Sequence, residues 1–192
     1  EDDIVFHAEI HGSPFFLIKN ARNQDNENTN LIEETAQATV SFSRAWKDGL
    51  SSGDAYWVFP NQVKKGAPTG QFLPKGSFVI EGKRNFCKGI ELKLSIGLVK
   101  IENRYTIVSG PLNAIKKRSL VFASLLPGGS DPMNLAKKIK SEFVRVISEF
   151  DSDLADYLKK VLLDDFIRML PTGQSKIEQI ERGQSVNDVK IG

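Results

Sequence analysis

The chain has 192 residues, 40% of them hydrophobic, with 26 Lys and Arg against 24 Asp and Glu, two His and one Cys. That apolar fraction excludes a disordered polyelectrolyte, and Cys87 alone excludes a disulfide-stapled module or a Cys-rich zinc site and makes a reducing compartment the default. No run of ~18 apolar residues is present to span a bilayer, and the start Glu1-Asp2-Asp3 is the opposite of the basic opening of a signal peptide. The length suits one domain, or one domain with an extension.

In chain order, Ile4 to Ile10 alternates as a strand, and Phe15 to Ile18 after the Gly12-Ser13-Pro14 turn is its partner. Asn20 to Asn30 is polar and without period, a surface loop. From Leu31 the spacing Ile32, Ala36, Val40 and then Trp46 predicts an amphipathic helix ended by Gly49. Ala55 to Phe59 is a strand stopped by Pro60. Residues 61–76 carry Gly66, Pro68, Gly70, Pro74 and Gly76, too punctuated for a long element. Ser77 to Gly82 resumes β character, and 90–96 with 104–109 form a hairpin around Glu102-Asn103, with Leu92, Leu94 and Ile96 on one face.

A further strand covers Leu120 to Leu125. Then Ser130 or Asp131 caps a helix with Pro132 in its first turn and Leu135, Ile139, Phe143, Ile147 and Phe150 at helical spacing. A second helix starts near Ser152, with Leu154, Leu158, Val161, Leu162, Phe166 and Met169 on one stripe until Pro171. The last twenty residues are polar and expected to be loosely ordered. The expectation is an α+β fold: a mainly antiparallel sheet with one packed helix over 1–126, followed by a C-terminal helical pair in 127–192.

Charge is distributed unevenly. Residues 1–59 hold 4 Lys/Arg and 10 Asp/Glu (−6), residues 60–120 hold 12 and 3 (+9), and residues 121–192 hold 10 and 11 (−1). The +9 block reads either as a footprint for phosphate or another polyanion, or as the solvated faces of strands.

Two constellations carry chemistry. Both histidines fall in His7-Ala8-Glu9-Ile10-His11, and a strand would put His7, Glu9 and His11 on one face, a set suited to a metal, to acid–base work or to hydrogen bonding. Three in-line strand positions span about 13 Å, so one metal could meet all three only at a bend. The second runs through Asn61-Gln62-Val63-Lys64-Lys65 and Thr69 to Lys83-Arg84-Asn85-Phe86. Two basic pairs there are interleaved with small residues and amide donors that suit phosphate and ribose. Phe72 and Phe86 could stack on unpaired bases or belong to the core. No nucleotide-binding glycine loop is present and no cofactor is expected.

The strings Asp3-Ile4-Val5-Phe6-His7-Ala8-Glu9-Ile10-His11-Gly12-Ser13, Ile18-Lys19-Asn20, Ser43-Arg44-Ala45-Trp46, Tyr56-Trp57-Val58-Phe59-Pro60-Asn61-Gln62-Val63, Ala67-Pro68-Thr69-Gly70-Gln71-Phe72-Leu73 and Gly82-Lys83-Arg84-Asn85-Phe86 occur in order over residues 3 to about 98. Together they resemble the NFACT-R module of the NEMF/RqcH ribosome-quality-control family, members of which also carry the label fibronectin-binding protein. The resemblance implies a cytoplasmic, non-enzymatic RNA-binding module with the large ribosomal subunit, its rRNA or tRNA, as partner at stalled nascent chains.

Carried onto this sequence, the resemblance picks out His7, Glu9, His11, Ser13, Lys19, Arg44, Gln62, Lys64, Thr69, Lys83, Arg84 and Asn85, which together with Lys65 of the first basic pair are the expected RNA-binding residues. Gly12, Gly70, Gly76 and Gly82 serve backbone geometry equally well, and Trp46 and Trp57 read as core. Relatives begin the module with further strands and carry a large N-terminal region. This chain is therefore expected to be a fragment or a divided gene product, with a sheet edge open to self-association or to the remainder of a longer protein. A hydrolase built on His7, Glu9 and His11, and a protein-binding scaffold without RNA affinity, are the rival readings.

Overall fold

The computed structural model describes residues 2–10, 12–21, 28–65 and 78–185, and the backbone only of 28 and 29. The alternation at the start of the chain gives β1 (Ile4–Ala8), in which Ile4, Phe6 and Ala8 point into the main core while Val5 and His7 point the other way. β1 pairs with β2 (Phe16–Ile18) and with β3 (Ser52–Val58), which pairs with β6 (Asn85–Glu91), in an antiparallel sheet of order β2-β1-β3-β6.

The inner face of this sheet is covered by α1 (Asn28–Ser41), whose Ala36 and Val40 are fully buried. The single helix expected as far as Gly49 is broken after Ser41. Ser43 donates its hydroxyl to the Val40 carbonyl at 2.6 Å and accepts from Ala45 N–H at 3.2 Å, so it caps a separate short α2 (Arg44–Lys47). Gly49, at φ +71°, ends that turn as expected.

On the outer face, a 3-10 turn at Pro60–Gln62 leads into β4 (Val63–Lys65), which pairs with β5 (Phe78–Ile80) as a two-stranded ribbon. Val63 and Ile80 of the ribbon cover one end of that face, closing a small second core of Val5, Tyr56 and Val58.

The hairpin around Glu102-Asn103 is β7 (Leu94–Ile101) with β8 (Arg104–Gly110), its turn marked by Glu102 at φ +52°. Its first arm starts at Leu94, later than expected, because the chain before it belongs to β6 in the other sheet. Leu92, Leu94 and Ile96 are fully buried in the main core. On the opposite face of β7, Gly97 lies under the unforeseen α3 (Leu112–Arg118): a Cβ there would stand 2.7 Å from Ile115 Cγ2.

β9 (Ser119–Ser130) is twice the expected length and joins β7 to β10 (Ser175–Arg182) in a second antiparallel sheet, order β10-β9-β7-β8. The expected single sheet is thus two four-stranded sheets and a ribbon, within the α+β class.

β10 corrects the expectation of a loose tail for those residues. Its polar segment carries Ile177 and Ile180 against the core and satisfies its backbone on β9. Ser175, at its start, accepts the buried Trp46 indole N–H at 2.9 Å.

α4 (Pro132–Ser148), capped by Asp131, and α5 (Ser152–Lys160), capped by Asp151, lie on the second sheet's inner side. The second expected helix is interrupted at Val161-Leu162 and resumes as α6 (Leu163–Ile167), so the pair is a trio. The Lys140 ammonium donates to the carbonyls of Lys159 and Val161 at the break, where helical N–H donors are missing. Leu162 leaves the apolar stripe in consequence and is 68% exposed. Among the described residues no helix is long and apolar enough to cross a membrane.

Candidate nucleic-acid interface

The outer face of the first sheet carries a row of rings. Strand register sets His7 opposite Tyr56, and Tyr56 opposite Phe86, while Phe15 precedes β2 one step beyond the Phe6–Phe16 pair and so faces His7. Ring centroids along the row are 4.8 Å apart for Phe15 and His7, 5.9 Å for His7 and Tyr56, and 5.8 Å for Tyr56 and Phe86. Phe78, at the ribbon end where Lys65 pairs with it, meets Phe15 edge-on at 5.5 Å.

Apolar rings on the solvent side of a sheet cost free energy unless something covers them, yet Phe15 is 41% exposed, Phe86 46% and Phe78 38%. In the middle of the row, Tyr56 is buried beneath the Arg84 guanidinium, 4.7 Å from the ring centroid. Arg84 in turn reaches the Glu9 carboxylate at 3.4 Å, a pair whose two side chains are both more than a third exposed. The Lys88 ammonium stands over Phe86 at 5.9 Å. Lys64, Lys65 and Lys83 are exposed nearby, on the ribbon and on the turn entering β6.

His7 is half-buried, and its Nδ1 is enclosed without a hydrogen-bond partner among the described residues. Burial chiefly, with the Arg84 charge adding to it, holds the imidazole below its usual pKa of 6.5, and Tyr56 is pushed up by the same burial. The result is a row of mutually tilted rings, open at Phe15, Phe78 and Phe86, crossed at Tyr56 by the Arg84–Glu9 pair and bordered by further cations. Such a surface accepts the faces of unpaired bases while its rim meets phosphates.

Comparison with known proteins gives this surface its context. Residues 1–82 match the family model described as the NFACT protein RNA binding domain. The chain carries the NFACT-R module of the NEMF/RqcH family.

It is 34% identical over 177 residues to the archaeal Rqc2 homolog aRqcH of Methanocaldococcus jannaschii, covering 92% of this chain and 24% of that protein. It is 31% identical over 191 residues to the ribosome quality control complex subunit NEMF homolog of Drosophila melanogaster, covering 96% of this chain and 18% of the other. Over 84 residues it is 42% identical to the human ribosome quality control complex subunit NEMF, covering 44% of this chain and 8% of that one. The chain thus spans a quarter or less of the length of these relatives.

Within the NFACT-R module the signature residues divide into two groups. His7 and Arg84 belong to the ring row with Glu9 paired to Arg84, Lys65 lies on the ribbon face that carries Phe78, and Lys64 and Lys83 are exposed on the same ribbon and the adjoining turn. The rest of the described ones serve the backbone or stand elsewhere.

Ser13 accepts from Ala8 N–H at 3.0 Å and shapes the turn between β1 and β2. Gln62 donates to the carbonyls of Glu81 and Lys83 at 2.8 and 2.9 Å and accepts from Phe59 N–H at 3.0 Å, which uses its whole amide to join the ribbon to the β6 turn. Asn85 donates to the Trp57 carbonyl at 3.3 Å. Lys19 is exposed just past β2. Arg44 sits on α2, whose buried Ala45 and Trp46 belong to the core on the other side of the sheet, and pairs with Asp48 at 3.5 Å.

His11 and Thr69, with Phe72, lie outside the described residues. Because β1 ends at Ala8, Glu9 is no longer a strand residue in line with His7, and it turns to Arg84.

The ring row adds Phe15, Tyr56, Phe78 and Lys88, which the sequence reading did not single out, and fixes Phe86 as exposed. The available signal was the alternation that sends Val5, His7 and Tyr56 outward. Pairing across three strands becomes visible only with the register. Family matching ends at Gly82, so Arg84, Phe86 and Lys88 lie just beyond it.

Proposed function

We propose that this chain is the RNA-binding module of a longer, cytoplasmic ribosome-associated quality-control factor, and that it contacts large-subunit rRNA or tRNA at stalled nascent chains. The observation that carries the reading is the ring row Phe15, His7, Tyr56 and Phe86, exposed at its two ends, with Arg84 over the buried Tyr56, Lys88 over Phe86, and the Lys64-Lys65 ribbon strand beside it. The names of the relatives support it. Binding combines stacking of unpaired bases on the rings with phosphate contacts at the rim, and β2, an edge strand with exposed Leu17, faces the remainder of the protein or a second copy.

Transfer RNA and a single-stranded oligonucleotide titrated at two ionic strengths test it. Replacing Lys64 and Lys65 with Gln lowers the slope of log affinity against log salt by about 1.4 on the single strand. Phe86→Ala costs about 1–3 kcal/mol of affinity at unchanged slope, since it removes a ring and no charge. If both variants bind like the parent, the row is not the site.

A further inference from the structure

The ring row is not a continuous platform. Phe15, Phe78 and Phe86 at its ends are exposed, whereas Tyr56 between them is buried beneath Arg84. Neighbouring rings are also turned against one another, by 44° from Phe15 to His7, 47° from His7 to Tyr56 and 61° from Tyr56 to Phe86. A run of stacked bases, whose planes are parallel, cannot lie along such a row.

The two ends repeat one arrangement, an exposed ring with a lysine beside it. At one end Phe78 stands at 88° to Phe15 and pairs across the ribbon with Lys65, so that the two side chains leave the same face. At the other, the Lys88 ammonium is 5.9 Å from the Phe86 centroid. The register places three strand spacings between Phe15 and Phe86, a separation of roughly 14 Å.

We propose that the row takes single-stranded RNA at two separate base sites, one at Phe15 and Phe78 and one at Phe86, with the strand between them crossing Arg84. This rests on the RNA-binding reading above and adds the form of RNA that fits. Bases stacked on each other stand about 3.4 Å apart and cover each other's faces. Two bases that each turn a face to rings roughly 14 Å apart are therefore splayed from one another, as in a loop or an unstacked strand.

Arg84 joins the two sites. Its bond to Glu9 runs through one guanidinium nitrogen, at 3.4 Å, so the fork keeps donors for a phosphodiester. The Glu9 carboxylate offsets the guanidinium charge, which suits a single crossing of the centre and leaves the flanking phosphates to Lys65 and Lys88.

The test uses oligouridylates of one fixed length in which all bases but two are removed, so that backbone charge is constant while the separation of the two uracils varies. They are titrated on the whole chain by fluorescence anisotropy. Expected is one optimal separation, with affinity falling on either side of it as for any two-point attachment, and a loss of about tenfold when either base is removed. At the optimum, Phe86→Ala should make one of the two bases dispensable. Phe15→Leu, which keeps bulk beside His7, should make the other so. Exchanging the intervening phosphodiesters one at a time for uncharged methylphosphonate should reveal one whose loss weakens binding to the parent and not to Arg84→Gln.

Affinity that rises with each base wherever it stands overturns the two-site arrangement and leaves RNA binding intact. An optimum indifferent to Phe15 and Phe86 assigns the bases to other groups and likewise overturns it. No binding by the full oligouridylate or by transfer RNA overturns this proposal and the RNA-binding reading together.

Discussion

His7 shows how the ring row constrains a single residue. Packed between Phe15 and Tyr56 and close to the Arg84 charge, its imidazole holds a proton less readily than in the unfolded chain. Above its usual pKa of 6.5 both states are neutral there and His7 adds no pH dependence. As pH falls below that value the unfolded chain protonates first, so stability is lost progressively towards the lower folded-state pKa. His7→Phe keeps a ring in the row and removes the titration. Its urea midpoint should fall less than the parent's between about pH 7.5 and about pH 5.5, and an equal fall would show that His7 is not the group responsible.

At the scale of elements, the bond from Trp46 to Ser175 joins α2 to β10 across 129 residues of sequence, with both residues almost fully buried. Ser175→Ala leaves the indole N–H dry and unpaired, and should destabilise the chain by about 1–3 kcal/mol in urea titration with an unchanged m-value.

β10 was the least legible element because its stability lies in pairing on β9, not in its own pattern. Six of its eight residues are polar and the isoleucine spacing is shifted by a bulge between Ile177 and Gln179. Elements with strong local signals were legible: β1, the Asp131-Pro132 start of α4, and the turn at Glu102. Breaks in long apolar patterns were not, since Ser43 and Leu162 interrupt α1–α2 and α5–α6 through capping and tertiary contacts that periodicity does not record. The candidate site was half legible. Its charges could be read from composition, but the rings that give them a surface come from three separate strands.

At the scale of the whole molecule, the described cations of the +9 block divide between the two sheets. Lys64, Lys65, Lys83, Arg84 and Lys88 belong to the first sheet and its ribbon. Lys100 and Arg104 belong to the second sheet, Lys116, Lys117 and Arg118 to α3, and Lys93, in the link between β6 and β7, pairs with Glu178 of β10. Replacing Lys116 and Lys117 with Gln should therefore leave RNA affinity within about twofold, ~0.4 kcal/mol, and the salt slope unaltered. A slope that fell as far as in the Lys64, Lys65 variant would extend the interface to α3.

The two basic pairs of the first group are distant in sequence, and it is Gln62 that holds them together, through the carbonyls of Glu81 and Lys83 and through the return bond from Glu81 N–H to its own carbonyl at 2.9 Å. On the RNA-binding reading proposed above, the pairs act as a bivalent clamp: once one meets a phosphate, the other is presented at a high effective concentration and its contact is intramolecular. Gln62→Ala removes no charge, yet it should weaken RNA binding by about as much as losing one of the two pairs, which calorimetric titration beside the Lys64, Lys65 variant would measure.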